Sequence, residues 1–187
     1  MRRALAAVGS TLFLALAPGT VAGLIPWWLT AWRAHGPLPG WLPVRAFAVV
    51  LIIAGAAVVI DAFGRFVVQG VGTPAPVAPT ERLVIGGPYR HVRNPMYLAV
   101  GATILGQALL LGRPVLLGYA LAFAAAVGAF VHLYEQPTLR RRFGKQYEQY
   151  RASVPAWLPR LRPYRPTVDG PAPDDPPGQR ARRRRSR

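Results

Sequence analysis

Four long apolar stretches, separated by short polar segments, dominate the pattern of this chain. They cover residues 4–32, 44–68, 96–111 and 114–134. A helix that crosses a bilayer needs about 20 mainly apolar residues, a length that the second and fourth stretches reach and the third nearly reaches. The pattern therefore predicts an all-α fold, a polytopic membrane helical bundle of about four transmembrane helices.

The first stretch has two interpretations. It is long enough to cross the membrane with a tilt or with a break at Pro18, and its end carries three tryptophans suited to a membrane interface: Trp27, Trp28 and Trp32. Alternatively, Arg2 and Arg3 begin a signal peptide that is cleaved after residues 15–17. Because the apolar character continues past that position, we favour an uncleaved first helix.

Only Gly112 and Arg113 separate the third and fourth stretches, which predicts a tight antiparallel hairpin. Small residues let membrane helices approach closely, and both stretches contain glycines: Gly101, Gly106, Gly118 and Gly128. The hairpin returns the chain to the side where it began. Glu135, at the end of the fourth stretch, is therefore expected beside Asn94 and Tyr97 at the start of the third.

A basic amphipathic helix is predicted after Glu135. Apolar residues recur at mostly helical spacing from Leu139 to Val154, while residues 140–142 and Lys145 place positive charge on the other surface. This pattern is typical of a helix that lies on a membrane. We expect it on the cytoplasmic side.

Charge predicts the orientation of the bundle. The net charge is +16, and residues 138–187 hold 14 Lys and Arg against 4 Asp and Glu. Because Lys and Arg accumulate in cytoplasmic loops, we predict an integral protein of a bacterial-type inner membrane with both termini in the cytoplasm. The charge is segregated in the tail, which favours anionic lipid headgroups as its partner and argues against nucleic acid.

Composition limits the chemistry. There is no cysteine and the three histidines are dispersed, so neither a thiolate nucleophile nor a metal site is predicted.

The pattern of apolar and polar segments divides the chain into three parts. Residues 1–68 are predicted to form an N-terminal two-helix membrane region, and residues 69–163 a core of loop, hairpin and C-terminal helix. Residues 164–187 form a basic, proline-rich tail predicted to be disordered.

Residues 86–97, which we call the collar, are the densest polar segment beside an apolar stretch. Asn94 stands at a helix N-cap position and Pro95 in the first turn, so the Asn94 side chain is predicted to bond a free backbone amide. Polar groups at a helix N-terminus favour binding of a carboxylate or another anion. The alternative is that the collar arginines and Tyr97 only anchor the helix among lipid headgroups.

Four further polar residues have simpler interpretations. Asp61 and Arg65 are four residues apart, which favours an ion pair on one helix face, although contact with a substrate is the alternative. His91 and His132 are interpreted as structural groups that form hydrogen bonds.

Five short motifs follow one another in the second half of the chain. They are Gly-Pro-Tyr at 87–89, Arg-Asn-Pro-Met-Tyr at 93–97, Glu-Gln at 135–136, Phe-Gly-Lys-Gln-Tyr-Glu-Gln-Tyr at 143–150 and Val-Pro at 154–155. In order and spacing, over roughly residues 82–163, they resemble the isoprenylcysteine carboxyl methyltransferase family, whose wider relatives include membrane phospholipid methyltransferases.

The resemblance implies a methyltransferase that uses S-adenosylmethionine and acts on a lipophilic or small-molecule acceptor. It makes residues 69–163 a methyltransferase-like core. Residues implied in cofactor binding are Leu83, Val84, Tyr89, Asn94, Pro95, Met96, Tyr97 and Glu135. Arg93 is the candidate catalytic residue, because its charge would attract an anionic acceptor. Asn94 replaces the usual histidine of the family and Gln136 its second glutamate, so an acid–base role at position 94 is not expected.

Two other functions stay open from the sequence. One is a non-catalytic membrane protein whose collar and tail bind anionic lipid. The other is an NADPH-dependent membrane reductase of the steroid-reductase type, in which the collar would bind the cofactor phosphate.

Overall fold

The computed structural model describes residues 16–35, 41–65 and 83–165, and within these ranges every regular element is helical. Helix α1 covers residues 16–30 and includes a π-helical turn at Thr20–Leu24. The other elements are α2 (Trp41–Arg65), a 3-10 turn (Gly87–Arg90), α3 (Pro95–Leu111), α4 (Pro114–Phe130), a π-helical turn (Val131–Glu135) and α5 (Gln136–Ser153). The first part of the predicted first helix, and with it most of the alternative signal peptide, lies outside the described residues. So do the first part of the predicted core and most of the predicted tail.

Two of these helices are long and apolar enough to cross a membrane. They are residues Leu42–Ala62 of α2 and the continuous helix from Pro114 to Ser153, while α3 is apolar but has only 17 residues. Only 17% and 11% of their apolar windows are buried within the molecule, whereas a helix in a soluble core would be mostly buried. The all-α prediction is confirmed for the described residues, and the count of four spans stays a prediction.

The two central helices, α2 and α3, approach closely at glycines. A Cβ atom on Gly55 would lie 2.7 Å from the carbonyl oxygen of Ala99, and one on Gly106 would lie 2.8 Å from that of Ala48. By contrast, no atom of the described residues lies within 4 Å of that position at Gly118 or Gly128. Small residues therefore act at the α2–α3 contact, and the expectation that Gly118 and Gly128 bring the hairpin helices together was wrong.

Helix α1 packs through its π-helical turn. It does not break at Pro18 but widens two residues later, from Thr20. A proline lacks the N–H that would complete a normal turn, and a wide turn leaves carbonyl groups available. The Val21 carbonyl accepts a bond of 2.8 Å from the Tyr119 hydroxyl, and that of Ala22 accepts one of 2.7 Å from the buried Gln107 amide.

The predicted hairpin is confirmed. Helix α3 ends at Leu111, and Gly112 adopts the left-handed conformation (φ 62°) that reverses the chain before Pro114 opens α4. Helix α4 then continues through the π-helical turn into α5 without a break at Pro137, and α5 bends at Gly144 (φ 49°).

The apolar stripe of α5 is largely used inside the protein. Tyr147, Tyr150 and Val154 are buried, and they pack against Leu83 and Ile85 from the segment before the collar. This packing accounts for the amphipathic pattern that predicted a membrane-surface helix. The location of α5 on the cytoplasmic membrane surface stays a prediction.

Candidate active site

A C-terminal strap (residues 154–165) runs antiparallel to residues 90–94, the middle of the collar. The backbone N–H of Arg93 donates to Pro155 O (2.9 Å), that of Arg160 to His91 O (3.0 Å), and that of Tyr164 to Arg90 O (2.9 Å). Val154 is extended (φ −122°, ψ 123°), which directs the chain from the end of α5 back over the collar. The strap therefore fixes the loop that opens α3.

Side chains of the collar also bind the strap. Arg90 Nε donates to Tyr164 O at 2.7 Å, and His91 Nδ1 lies 2.8 Å from Arg160 O. Asn94 Nδ2 donates to Ala156 O at 3.1 Å and forms no capping bond to the helix. The predicted N-cap role of Asn94 was therefore wrong, because its side chain bonds instead to a strap that is distant in sequence. The structural role predicted for His91 is confirmed.

Tyr97 and Glu135 meet at the base of the hairpin, as the sequence predicted. The Tyr97 hydroxyl donates to Glu135 Oε2 at 3.0 Å. Glu135 ends the π-helical turn Val131–Glu135, whose wider loop rotates the residues that follow it around the helix axis. Such turns are frequent at functional sites, and here the turn places the carboxylate on the side of the helix that faces α3.

Arg93 lies beside this pair and is incompletely bonded. One terminal nitrogen donates to the Tyr147 hydroxyl at 3.3 Å, but its Nε is buried and has no hydrogen-bond partner among the described residues. Leaving a buried donor without a partner costs about 1–3 kcal/mol or more. A buried cationic donor beside a carboxylate and two phenols is an arrangement suited to a polar, charged ligand.

Tyr89 forms the buried wall of this region. It packs with Ala62 and Val84, and its carbonyl accepts a bond of 2.6 Å from the Tyr150 hydroxyl. Burial raises the pKa of the Tyr89 phenol well above its usual value, and the nearby charge of Glu135 adds to this shift. Tyr89 therefore stays neutral at physiological pH.

The end of α2 supports the turn that carries Tyr89. Asp61 and Arg65 form the predicted ion pair, with bonds of 2.9 and 3.0 Å. The Arg65 guanidinium occupies the space that a Cβ on Gly87 would need, and Gly87 has φ +57°. A residue with a side chain would be strained at this φ, so glycine lets the turn dock on Arg65.

An apolar groove of about 640 Å³ opens between α3 and α4. Small residues make room for it, including Gly101, Ala124 and Gly128, and Trp157 of the strap lines it as well. Tyr97 also lines the groove, while its hydroxyl bonds Glu135. The groove therefore ends at the polar cluster formed by Arg93, Tyr97, Glu135 and Tyr147.

A comparison with models of known protein families gives a match over residues 44–146, more than half of the chain. The matching family is described as phospholipid methyltransferase. The chain belongs to the phospholipid methyltransferase family. This confirms the resemblance found in the sequence. The protein is therefore a membrane methyltransferase, and the match favours neither a lipid-binding protein without activity nor a reductase. No curated protein matches the chain. No solved structure matches it either.

The family match spans most of the candidate site. It includes α2 from residue 44 onward, the collar, the hairpin and Glu135, whereas Tyr147 and the strap lie beyond residue 146. The remaining predicted site residues provide the packing around the cluster: Leu83 contacts the buried stripe of α5, Pro95 is buried at the start of α3, and Met96 packs against Val84 and Tyr89.

Three residues near the site were not predicted from the sequence to belong to it: Tyr147, Tyr150 and Trp157. Tyr147 and Tyr150 were read as part of an apolar stripe, although the Phe-Gly-x-x-Tyr-x-x-Tyr motif contains both and could have indicated them. Trp157 gave no signal in the sequence, because only the return of the strap brings it to the groove.

Proposed function

We propose that this methyltransferase uses S-adenosylmethionine and acts on a lipophilic or small acceptor, a carboxylate or an amine, at the cytoplasmic membrane interface. One observation carries the proposal. Tyr97 belongs both to the polar cluster with Glu135 and to the wall of the apolar groove. A polar donor bound at the cluster and an apolar acceptor bound in the groove would meet at Tyr97.

The residues of the cluster fit the proposed donor. S-adenosylmethionine, when bound, supplies an electrophilic methyl group on a positively charged sulfur. Glu135 would bind its ammonium group or a ribose hydroxyl, and tyrosine faces such as those of Tyr89 and Tyr97 would stabilise its positive charge. The buried Arg93 Nε, which has no partner within the described part of the chain, supports a ligand with anionic oxygen at this place.

Other predicted cofactor residues would act through their backbone. Leu83 and Val84 turn their side chains inward, and Asn94 is bonded to the strap. With Met96, they would present backbone N–H and C=O groups to the nucleoside. Pro95, which has no N–H, would only shape the cavity wall.

The groove suits the apolar part of an acceptor. In that position, Arg93 would attract a negatively charged headgroup or carboxylate and place the acceptor atom in line with the donor. Holding two reactants in a productive geometry can contribute about 7–11 kcal/mol to catalysis. Positioning is therefore the main role that we assign to the protein, without covalent participation.

The proposed topology places this chemistry at the cytoplasmic face. Four spans with both termini inside leave most Lys and Arg in the cytoplasm, in accord with the positive-inside rule. The tail of residues 164–187 would contact anionic lipid headgroups.

The donor is tested by calorimetry on the protein purified in detergent or lipid nanodiscs. S-adenosylmethionine should bind at one site per chain, and Glu135→Ala should abolish the heat of binding. The acceptor is then sought by incubating membranes with an isotopically labelled donor and identifying the labelled product. Absence of donor binding to a folded protein would overturn the proposal.

A further inference from the structure

The C-terminal strap presents an apolar surface that nothing in the described structure covers. Leu158 is 80% exposed and Leu161 is 97% exposed. Hydrogen bonds on both sides of this pair, at Pro155 and Tyr164, and one between the two leucines, at Arg160, hold the strap against the collar. Because the backbone is fixed, the two leucines are presented outward and cannot fold back onto the protein.

Positive charge surrounds these leucines. Residues 149–165 include four arginines and neither Asp nor Glu. One of them, Arg160, donates to Ser153 O at 2.5 Å and so caps the end of α5. Arg162 and Arg165 are exposed. Exposed leucines flanked by exposed arginines are the chemistry of a segment that binds an anionic lipid surface.

The position of the strap also indicates lipid rather than another protein chain. The strap is bonded to residues immediately before α3, so it lies level with the end of an apolar helix, where a bilayer has its headgroup boundary. A second copy of this chain would bring the same positive surface, and each copy carries a net charge of +16. Two such surfaces repel each other.

We propose that the strap docks on an anionic leaflet, with Leu158 and Leu161 inserted at the boundary between headgroups and acyl chains. Arg162 and Arg165 then contact the lipid phosphates. Trp157, the residue before Leu158, lines the groove that ends at Tyr97. Docking of the strap therefore also holds one wall of the groove in place. The docking surface is independent of the proposed activity, and its effect on the groove rests on that activity.

The surface is tested with a single fluorescent label. Because the chain contains no cysteine, Leu161→Cys can carry an environment-sensitive probe at one position. Ala152→Cys is the matched control, because it is exposed and lies one turn after Glu148, whose carboxylate pairs with Arg140 on the charged face of α5. Both proteins are placed in nanodiscs of phosphatidylcholine, with or without phosphatidylglycerol.

The expected result is a blue-shifted emission at position 161, quenched by a nitroxide on the lipid chain and protected from aqueous iodide. The shift should increase with phosphatidylglycerol. Each arginine is worth about a fivefold preference for an anionic surface, so Arg162→Gln with Arg165→Gln should remove most of that increase. Equal access of iodide to positions 161 and 152 would overturn the proposal. Shielding that depends on protein concentration and persists in detergent would assign the surface to a second copy and overturn it as well.

The effect on the groove is tested with Leu158→Ser and Leu161→Ser together. The rate of label transfer from donor to a total lipid extract should rise with phosphatidylglycerol in the unmodified protein and not in the double variant, while the affinity for the donor stays equal. An equal rise in both proteins would overturn the coupling to the groove. If the unmodified protein binds no donor, the proposed function fails, and the label at position 161 still decides the docking surface.

Discussion

The hydroxyl of Tyr97 and the carboxylate of Glu135 form a hydrogen bond of 3.0 Å across 38 positions of the chain. The first residue opens α3 and the second closes the π-helical turn after α4, so the bond joins the two ends of the hairpin. It also joins the polar cluster to the apolar groove, since Tyr97 lines the groove. The function that we propose depends on this contact.

Removing the hydroxyl of Tyr97 should weaken donor binding. A hydrogen bond to a charged group contributes about 1.5–3 kcal/mol, so we expect Tyr97→Phe to lower donor affinity about tenfold or more in calorimetry. Tyr134→Phe is the control, because Tyr134 is half-exposed and stacks on Phe130. Equal affinity in both variants would show that the contact does not serve the donor.

Arg93 should act on the acceptor more than on the donor. Arg93→Lys keeps a positive charge but loses the buried Nε and the planar geometry. We expect the acceptor KM to rise about tenfold, with donor affinity changed less than twofold. The matched control is Arg141→Gln, an exposed arginine of α5. A loss confined to donor affinity would instead assign Arg93 to the donor carboxylate.

Filling the groove should block the acceptor and leave the donor in place. Ala124 lines the groove, whereas its neighbour Ala125 is exposed and does not. Ala124→Phe is therefore expected to lower the rate of methyl transfer at least tenfold without changing donor affinity. Ala125→Phe should retain activity, and similar losses in the two variants would exclude the groove as the acceptor site.

The close approach of α2 and α3 should make Gly55 sensitive to substitution. An added methyl group would press on the Ala99 carbonyl, and overpacking of this kind costs about 1–3 kcal/mol. A lower melting temperature in detergent is expected for Gly55→Ala. Gly118→Ala, where the space is open, should leave the melting temperature unchanged or slightly raised.

Gly87 and Arg65 should be energetically coupled. Gly87→Ala adds a Cβ where the guanidinium lies, so it should lower both the melting temperature and donor affinity. Combining it with Arg65→Ala removes the collision, and the double variant should lose less than the sum of the two single losses. The strain of a positive φ, about 1–2 kcal/mol, would remain. Strict additivity in this cycle would show that the two groups do not contact each other in solution.

Much of the fold and part of the site could be predicted from local pattern. The hairpin could be predicted from the lengths of the apolar stretches, from Gly112 as a helix end and from Pro114 as a helix start, because these signals act within a few residues. The hairpin in turn brought Glu135 beside Tyr97. The contact partner of Asn94 could not be predicted, because Ala156 of the strap lies 62 residues later in the chain and no local pattern indicates where the strap packs.

The sequence by itself determined that the chain is helical and apolar, where the hairpin turns, and which family it belongs to, because these properties depend on periodicity, composition and short motifs. Only the tertiary structure decided which polar groups remain available. Arg90, His91 and Asn94 bind the strap, whereas the buried Nε of Arg93 has no partner in the ranges that the structure describes. Which of these neighbouring donors bonds to a strap carbonyl depends on distances in space. Such distances cannot be derived from the spacing of residues along the sequence.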